Sequence, residues 1–240
     1  MKISKILYVL TAVIFVVSLL VPVMAASDTQ QTTLTETQME VGEDYGTLVS
    51  VDELKGYYKI ETYIENDPET LKLLIKNGIM VIPEGASPTE FSVRRVIDLS
   101  APSDSNNAQS RGMIYTLKDI VYTGRTTDTK SFREYIGGPG GTLSAPPSET
   151  LKNSWSGRVS ASTISAGIGS NVKEAKSIRS NSSLTLKENE RGSIAIHVRY
   201  DNYKFDIYNT WFGRLIPMKL GSGTAKVVAG LDYRYSKWTV

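Results

Sequence analysis

Apolar and polar residues alternate with a period of two through much of the C-terminal half. Between residues 194 and 201 the even positions are apolar or aromatic, while the odd positions include His197 and Arg199. The apolar set then moves to the odd positions from Tyr203 to Ile207, which predicts a turn or a bulge at Asp201-Asn202. A second long alternating run covers residues 227–236. This periodicity is typical of half-buried antiparallel strands.

Shorter alternating runs predict further strands over 56–64, 91–98, 113–123, 155–164 and 177–186. The Gly-rich run at 137–141 predicts a turn. The polar, turn-rich stretch at 99–112 is the expected domain boundary. We therefore predict a mainly β protein with an acidic N-terminal segment over 51–98 and a basic, antiparallel β-sandwich-like domain over 113–240.

One short helix is predicted in the N-terminal segment, over 68–77. Asp67 suits the N-cap, and Pro68 at the first helical position loses no hydrogen bond. Glu69 and Lys76 complement the two ends of the helix dipole, and Gly78 suits the left-handed stop. The residues expected to face a core are Leu71, Leu74, Ile75 and Ile79.

The first 25 residues have the pattern of a secretory signal peptide. Lys2 and Lys5 precede an apolar run over 6–23, and Val23-Met24-Ala25 forms a small-residue cleavage site. We predict cleavage after Ala25 and an extracellular protein; an uncleaved membrane anchor is the alternative. Residues 26–50, rich in Thr, Gln and Glu, are predicted to form a flexible tail.

The chain contains no cysteine and one histidine. Without cysteine there is no disulfide, thiolate nucleophile, zinc–thiolate site or iron–sulfur cluster. A Ser-His-Asp triad would have to use His197, and the neighbouring Arg199 suits a general base poorly. We interpret His197 as a half-exposed strand residue and predict no catalytic residue, no metal site and no cofactor. A hydrolase remains a less favoured alternative.

The charges are divided along the chain. Residues 26–110 contain fifteen acidic and six basic residues, a net charge of −9, while residues 111–240 contain ten acidic and nineteen basic residues, a net charge of +9. One interpretation is that the basic half binds a phospholipid surface or a cell-wall polymer, with the acidic half covering it as a pro-segment. The other is that two oppositely charged modules pack together. Nucleic acid is not a predicted partner because the chain is expected to be exported.

The segment between the two long alternating runs is a candidate binding loop. It places Trp211, Phe212 and Arg214 close together over 209–217. Exposed aromatic rings supply contact area, and arginine adds charge-assisted hydrogen bonds. In the alternative interpretation the aromatic side chains close one end of the β core.

Residues 154–185 contain twelve Ser or Thr and one acidic residue, Glu174. The two alternating runs within 154–186 have about the length of a membrane-crossing β-strand. This pattern resembles the insertion hairpin of aerolysin-type β-pore-forming toxins, although Lys173, Lys176 and Arg179 lie in or beside the loop. The resemblance implies an oligomeric barrel. Its candidate membrane-facing residues are Val159, Ala161, Thr163, Ile178, Leu184 and Leu186.

A second resemblance is carried by three short motifs: Trp155-Ser156-Gly157, Phe205-Asp206-Ile207-Tyr208 and Gly221-Ser222-Gly223-Thr224-Ala225. They resemble small secreted proteins of Gram-positive bacteria that have a Ser/Thr-rich C-terminal β domain and no characterised activity. The basic half and the 209–217 loop favour the hypothesis of a secreted, non-catalytic protein that binds an anionic extracellular surface or polymer. The alternative is an aerolysin-like membrane-active protein, and only that alternative requires an oligomer.

Overall fold

The computed structural model describes residues 46–54, 58–99, 115–179, 181–209 and 217–240. Within these ranges the chain forms twelve strands and two short helices. In chain order they are β1 (Thr47–Leu54), β2 (Tyr58–Glu65), α1 (Pro68–Lys76), β3 (Ser87–Asp98), β4 (Tyr115–Thr127), β5 (Arg133–Gly137), β6 (Gly141–Ala145), β7 (Ser148–Lys152), β8 (Ser154–Trp155), α2 (Ala161–Ile168), β9 (Ala175–Arg179), β10 (Ser182–Leu186), β11 (Glu190–Asn209) and β12 (Met218–Thr239).

The main sheet is antiparallel and has the order β1-β2-β3-β12-β11-β4. β5 also pairs with β11, and β8 also pairs with β12. The two longest strands, β11 and β12, form a hairpin in the middle of the sheet. The predicted mainly β, antiparallel fold is confirmed.

Two small sheets, β6–β10 and β7–β9, supply a second layer. Their buried residues Leu151, Ile178 and Leu184 share a core with Ile196 and Leu231 of the main sheet. We call the side of the main sheet that carries Ile196 and Leu231 the inner face. Stacking two apolar sheet faces in this way produces the sandwich-like arrangement.

Helix α1 packs on the opposite, outer face. The Asp67 carboxylate accepts a hydrogen bond of 2.8 Å from the Thr70 backbone N–H, as expected of an N-cap. Leu71 and Leu74 are buried in one cluster with side chains of β2 and β3, including Val93. Ile75 and Ile79 pack against the same cluster. The predicted helix and its buried side are confirmed.

The buried side of β11 changes along the strand. In its first half the even residues Ile194 to Val198 are buried under the small sheets, and in its second half Phe205 and Ile207 are buried beside α2. No turn interrupts β11, but the register of the β11–β4 ladder shifts between Asn202 and Tyr203, next to the predicted position, because Thr123 is an extra residue on β4. A shift between Arg199 and Tyr200 likewise places an extra residue, Ala229, on β12. The predicted irregularity is therefore present, with the extra residue on the partner strand instead of on β11. The small sheets cover one face of β11 in its first half, and α2 covers the other face in its second half.

The predicted strand over 155–164 is also wrong, because residues 161–168 are helical. Ser160 caps α2 by accepting a hydrogen bond of 3.2 Å from the Thr163 N–H, and Gly169 ends it with a φ of +68°. Ile164 is fully buried in the same cluster as Phe205. Capping and this burial outweigh the weak period-two pattern. The predicted run at 177–186 divides into β9 and β10, which belong to different small sheets.

The acidic segment contributes to the same sheet as the basic half, since β3 lies between β2 and β12. Ion pairs join the two halves: Asp98 with Lys176, Glu90 with Lys237 at 3.0 Å, and Arg95 with Asp232 at 3.3 Å. Removing 51–98 as a pro-segment would take away β3, which pairs with β12 on the side away from β11. It would also expose the core residues that β2 and β3 cover. The arrangement therefore disfavours that interpretation.

The predicted signal peptide and most of the predicted tail and domain boundary lie outside the described residues. Among the residues that are described, no helix is both long and apolar enough to cross a membrane.

Candidate functional site

The loop predicted to bind a partner lies at the tip of the long hairpin. Asn209 pairs with Met218, so the intervening residues connect β11 to β12 at that end. Trp211, Phe212 and Arg214 lie outside the described residues, and their proposed role stays a prediction.

Next to this tip, the second half of the hairpin carries a polar inner face. Three cross-strand pairs form it, Asn202 with Lys226, Lys204 with Thr224, and Asp206 with Ser222. We call these six residues the hairpin trough. Two adjoining shallow cavities of about 400 and 340 Å³ lie along it, and both are lined by Lys204 and Thr224. Neighbouring segments add the hydroxyl residues Thr123, Thr126 and Ser156 to their walls, and the acidic residue Asp119 also lines the larger cavity.

The two ends of the trough are held by internal bonds. At one end Asp206 pairs with Lys219 and accepts a 2.6 Å hydrogen bond from the Ser222 hydroxyl. The bond from Lys219, and then that from Ser222, lower the pKa of the Asp206 carboxyl. At the other end Lys226 lies 3.6 Å from the Asp128 carboxylate and 4.5 Å from the centre of the Tyr200 ring.

Lys204 lies between these ends and is exposed. Among the residues that the structure describes, none forms an ion pair or a hydrogen bond with its ammonium group. Its ammonium group is therefore free to bind an anion without breaking an internal contact. Towards the tip of the hairpin, Lys118 lies 4.9 Å from the centre of the Tyr208 ring. Met218 and Leu220 are each 48% exposed there.

A buried charge cluster lies on the outer face of the first half of the hairpin. Asp232 is fully buried, with its carboxylate 3.3 Å from the Arg95 guanidinium and 3.5 Å from that of Arg199. Arg95 also lies 3.9 Å from Glu61. Asp232 and Arg234 alternate with apolar Leu231 and Tyr233, a pattern that by itself indicates a solvent-facing side, so the cluster was not predicted.

His197 belongs to this cluster, and the prediction that it is half-exposed is wrong. It is 5% exposed, and its Nδ1 lies 2.8 Å from the Asp128 carbonyl oxygen. Because a carbonyl only accepts hydrogen bonds, Nδ1 carries the proton of the neutral ring. Burial, and secondarily the Arg234 charge, lowers the pKa of His197 to about 4. A buried imidazole bonded to a backbone carbonyl does not have the carboxylate partner of a catalytic triad.

The candidate membrane-facing residues do not form one hairpin. Val159 and Thr163 are buried in and beside α2, which begins at Ala161. The remaining three lie in the sandwich core: Ile178, Leu184 and Leu186. In the part of the chain that the structure describes, no group of three or more His, Asp or Glu side chains could hold a metal ion.

No protein-family model matches this chain, and no curated protein matches its sequence. The candidate function therefore rests on the geometry and the charges described above.

Proposed function

We propose that this protein is secreted, non-catalytic and binds an anionic extracellular surface or polymer through the hairpin trough and the adjoining tip loop. The observation that carries the proposal is Lys204, whose exposed ammonium group has no partner among the described residues and lies where the two cavities meet. An unpaired exposed lysine loses no ion pair when it binds phosphate, sulfate or carboxylate groups.

The distribution of charge across the main sheet supports this proposal. β1, at one edge, carries Asp52 and Glu53, and β4 and β11 of the basic half lie at the opposite edge. Such a separation orients the protein in the field of a polyanion and speeds association. In the described ranges, exposed basic side chains without an ion pair are Lys76 in the acidic segment and, in the basic half, Lys118, Lys130, Lys152, Arg158, Lys173, Arg179, Arg191 and Lys204.

The shape of the trough favours a polymer over a small molecule. Its cavities are shallow and adjoin along the strand direction, whereas small-molecule sites enclose most of their ligand. The donor for an anionic unit is the Lys204 ammonium, since the Ser222 hydroxyl already donates to Asp206 and the Asn202 amide already donates to the Gly124 carbonyl oxygen. The burial of His197 argues against a hydrolase that would depend on it.

Binding to matched charged and neutral probes tests the proposal. We expect binding to dextran sulfate and to phosphatidylglycerol vesicles, and little to dextran or phosphatidylcholine vesicles, with affinity falling as salt rises. Lys204→Gln should weaken binding about fivefold, since a lysine near an anionic surface contributes about 1 kcal/mol. Lys152→Gln, an exposed and unpaired lysine of β7, is the matched control. Equal binding to charged and neutral probes, or an equal effect of the two variants, would contradict the proposal.

The same vesicles separate this proposal from the aerolysin-like alternative, which stays a prediction. That alternative requires α2 to unfold and Ile178 and Leu184 to leave the core, so it predicts release of a trapped dye. Binding without release supports the surface-binding proposal. Secretion is tested separately, by N-terminal sequencing of exported protein, which should begin at Ala26.

A further inference from the structure

Arg234 is a buried arginine for which the described residues supply no ion-pair partner. It projects from the outer face of β12 and is 8% exposed. Its Nε is fully buried without a hydrogen bond. Among the residues that the structure describes, none forms a hydrogen bond or an ion pair with Arg234.

The neighbours of Arg234 supply more positive than negative charge. Asp232 already has Arg95 at 3.3 Å and Arg199 at 3.5 Å, and Glu61 lies towards Arg95. Three buried guanidinium groups thus share two carboxylates. Burial lowers the pKa of the Arg234 guanidinium, and the nearby charge of Arg95 opposes the favourable effect of Asp232.

A guanidinium group removed from water loses its hydration, and only charge-assisted hydrogen bonds replace that loss. Arginine presents a planar fork that matches the oxygens of a carboxylate or a phosphate. A binding partner for Arg234 should therefore be an oxyanion rather than a neutral group.

The residues next to Arg234 on the β5 side of the sheet are small or exposed. Its cross-strand neighbour on β11 is Ala195, whose side chain ends at Cβ and is partly exposed. Beyond Ala195 lies Glu134 of edge strand β5, which is exposed. Ile136, two residues further along β5, is 70% exposed. This side of the cluster therefore faces the open edge of β5.

We propose that Arg234, with His197 beside it, forms an oxyanion-binding site over Ala195 on the outer face of the main sheet. The anion is a phosphate or sulfate from solution. This site lies on the face opposite to the hairpin trough and is independent of the proposed function.

The single histidine of the chain gives a direct readout, because its imidazole signals in a nuclear magnetic resonance spectrum belong to His197 alone. The full-length protein is titrated with inorganic phosphate. We expect a saturable shift of these signals, a rise in the pKa of His197 and a rise in Tm. Arg234→Gln should abolish all three. Arg191→Gln, an exposed and unpaired arginine on β11, should leave them unchanged.

A second variant keeps the proposal testable if Arg234→Gln does not fold. Ala195→Glu places a carboxylate directly across from Arg234. It should raise Tm without phosphate and remove the phosphate response. Glu134→Gln removes the exposed carboxylate next to Ala195 on β5. This variant should still respond to phosphate.

A saturable phosphate response in the unmodified protein, lost in Arg234→Gln and absent in Ala195→Glu, supports a dissolved oxyanion at this site. A response retained in Arg234→Gln, or no response in any variant together with no stabilisation by Ala195→Glu, would overturn the proposal.

Discussion

Acidification should destabilise the folded protein through His197, because its neutral imidazole is buried next to arginine side chains. Burial, followed by the charge of Arg234, lowers the pKa of His197 from 6.5 to about 4. In the unfolded chain the ring takes up a proton below about pH 6.5. Between these two values the unfolded state binds more protons than the folded state, so the free energy of unfolding decreases as the pH falls.

The size of this effect follows from the two pKa values of His197. They differ by about 2.5 units, and each unit corresponds to about 1.4 kcal/mol, so the loss is about 3 kcal/mol. The loss begins near pH 6.5 and is complete near pH 4, below which both states are protonated. It is a large fraction of the stability of a typical domain, which is about 5–15 kcal/mol.

Urea unfolding between pH 7 and pH 4, in buffers without phosphate, measures this loss. Carboxylates titrate over the same range, so His197→Gln is the control; its amide retains a donor for the Asp128 carbonyl oxygen. The free energy of unfolding of the unmodified protein should fall by about 3 kcal/mol more than that of the variant.

Two results would refute this reasoning. One is a pH dependence that is the same for both proteins within about 1 kcal/mol, a third of the expected effect. The other is a pKa near 6.5 for His197 from a resonance titration, which would mean that the imidazole is hydrated in the folded protein.

Further predictions concern the core and the buried charges. Leu74→Ala should cost about 2–5 kcal/mol in urea unfolding, since Leu74 lies on the side of α1 that packs on the sheet and is fully buried. Val81→Ala, at a position 63% exposed, should change stability little, and equal losses would contradict the packing of α1. Asp232→Ala should lower the free energy of unfolding by about 3–5 kcal/mol, because it leaves two buried guanidinium groups uncompensated. Asp206→Ala breaks an exposed ion pair and should lower it much less. The reverse order would show that the buried cluster is hydrated.

The elements predicted most accurately have strong local signals. Asp67, Pro68 and Gly78 define α1 within the chain segment itself, and the structure begins and ends the helix within one residue of the prediction. The strands around Ile196 and Leu231 were predicted because their apolar residues repeat every second position over many residues. Where several local signals agree, tertiary contacts do not change the predicted element.

The errors occur where local signals are weak or where burial decides. The apolar positions over 159–163 are weak, so the cap at Ser160 and the burial of Ile164 determine a helix there. His197 and Asp232 occupy the polar side of their strands. The pattern assigns that side to solvent, and only the assembled sheet makes it a buried charge cluster.

The amino-acid pattern alone determines that this chain forms antiparallel strands with one N-terminal helix, because strand and helix periodicities are properties of neighbouring residues. It also shows that acidic and basic residues are divided along the chain. The tertiary structure decides which face of each strand is covered, and thus that the buried side of β11 changes from Ile196 to Phe205 while the strand continues. It likewise places β3 beside β12, leaves Lys204 unpaired in the trough and buries Arg234. These outcomes depend on contacts between residues far apart in sequence, which a local pattern does not encode.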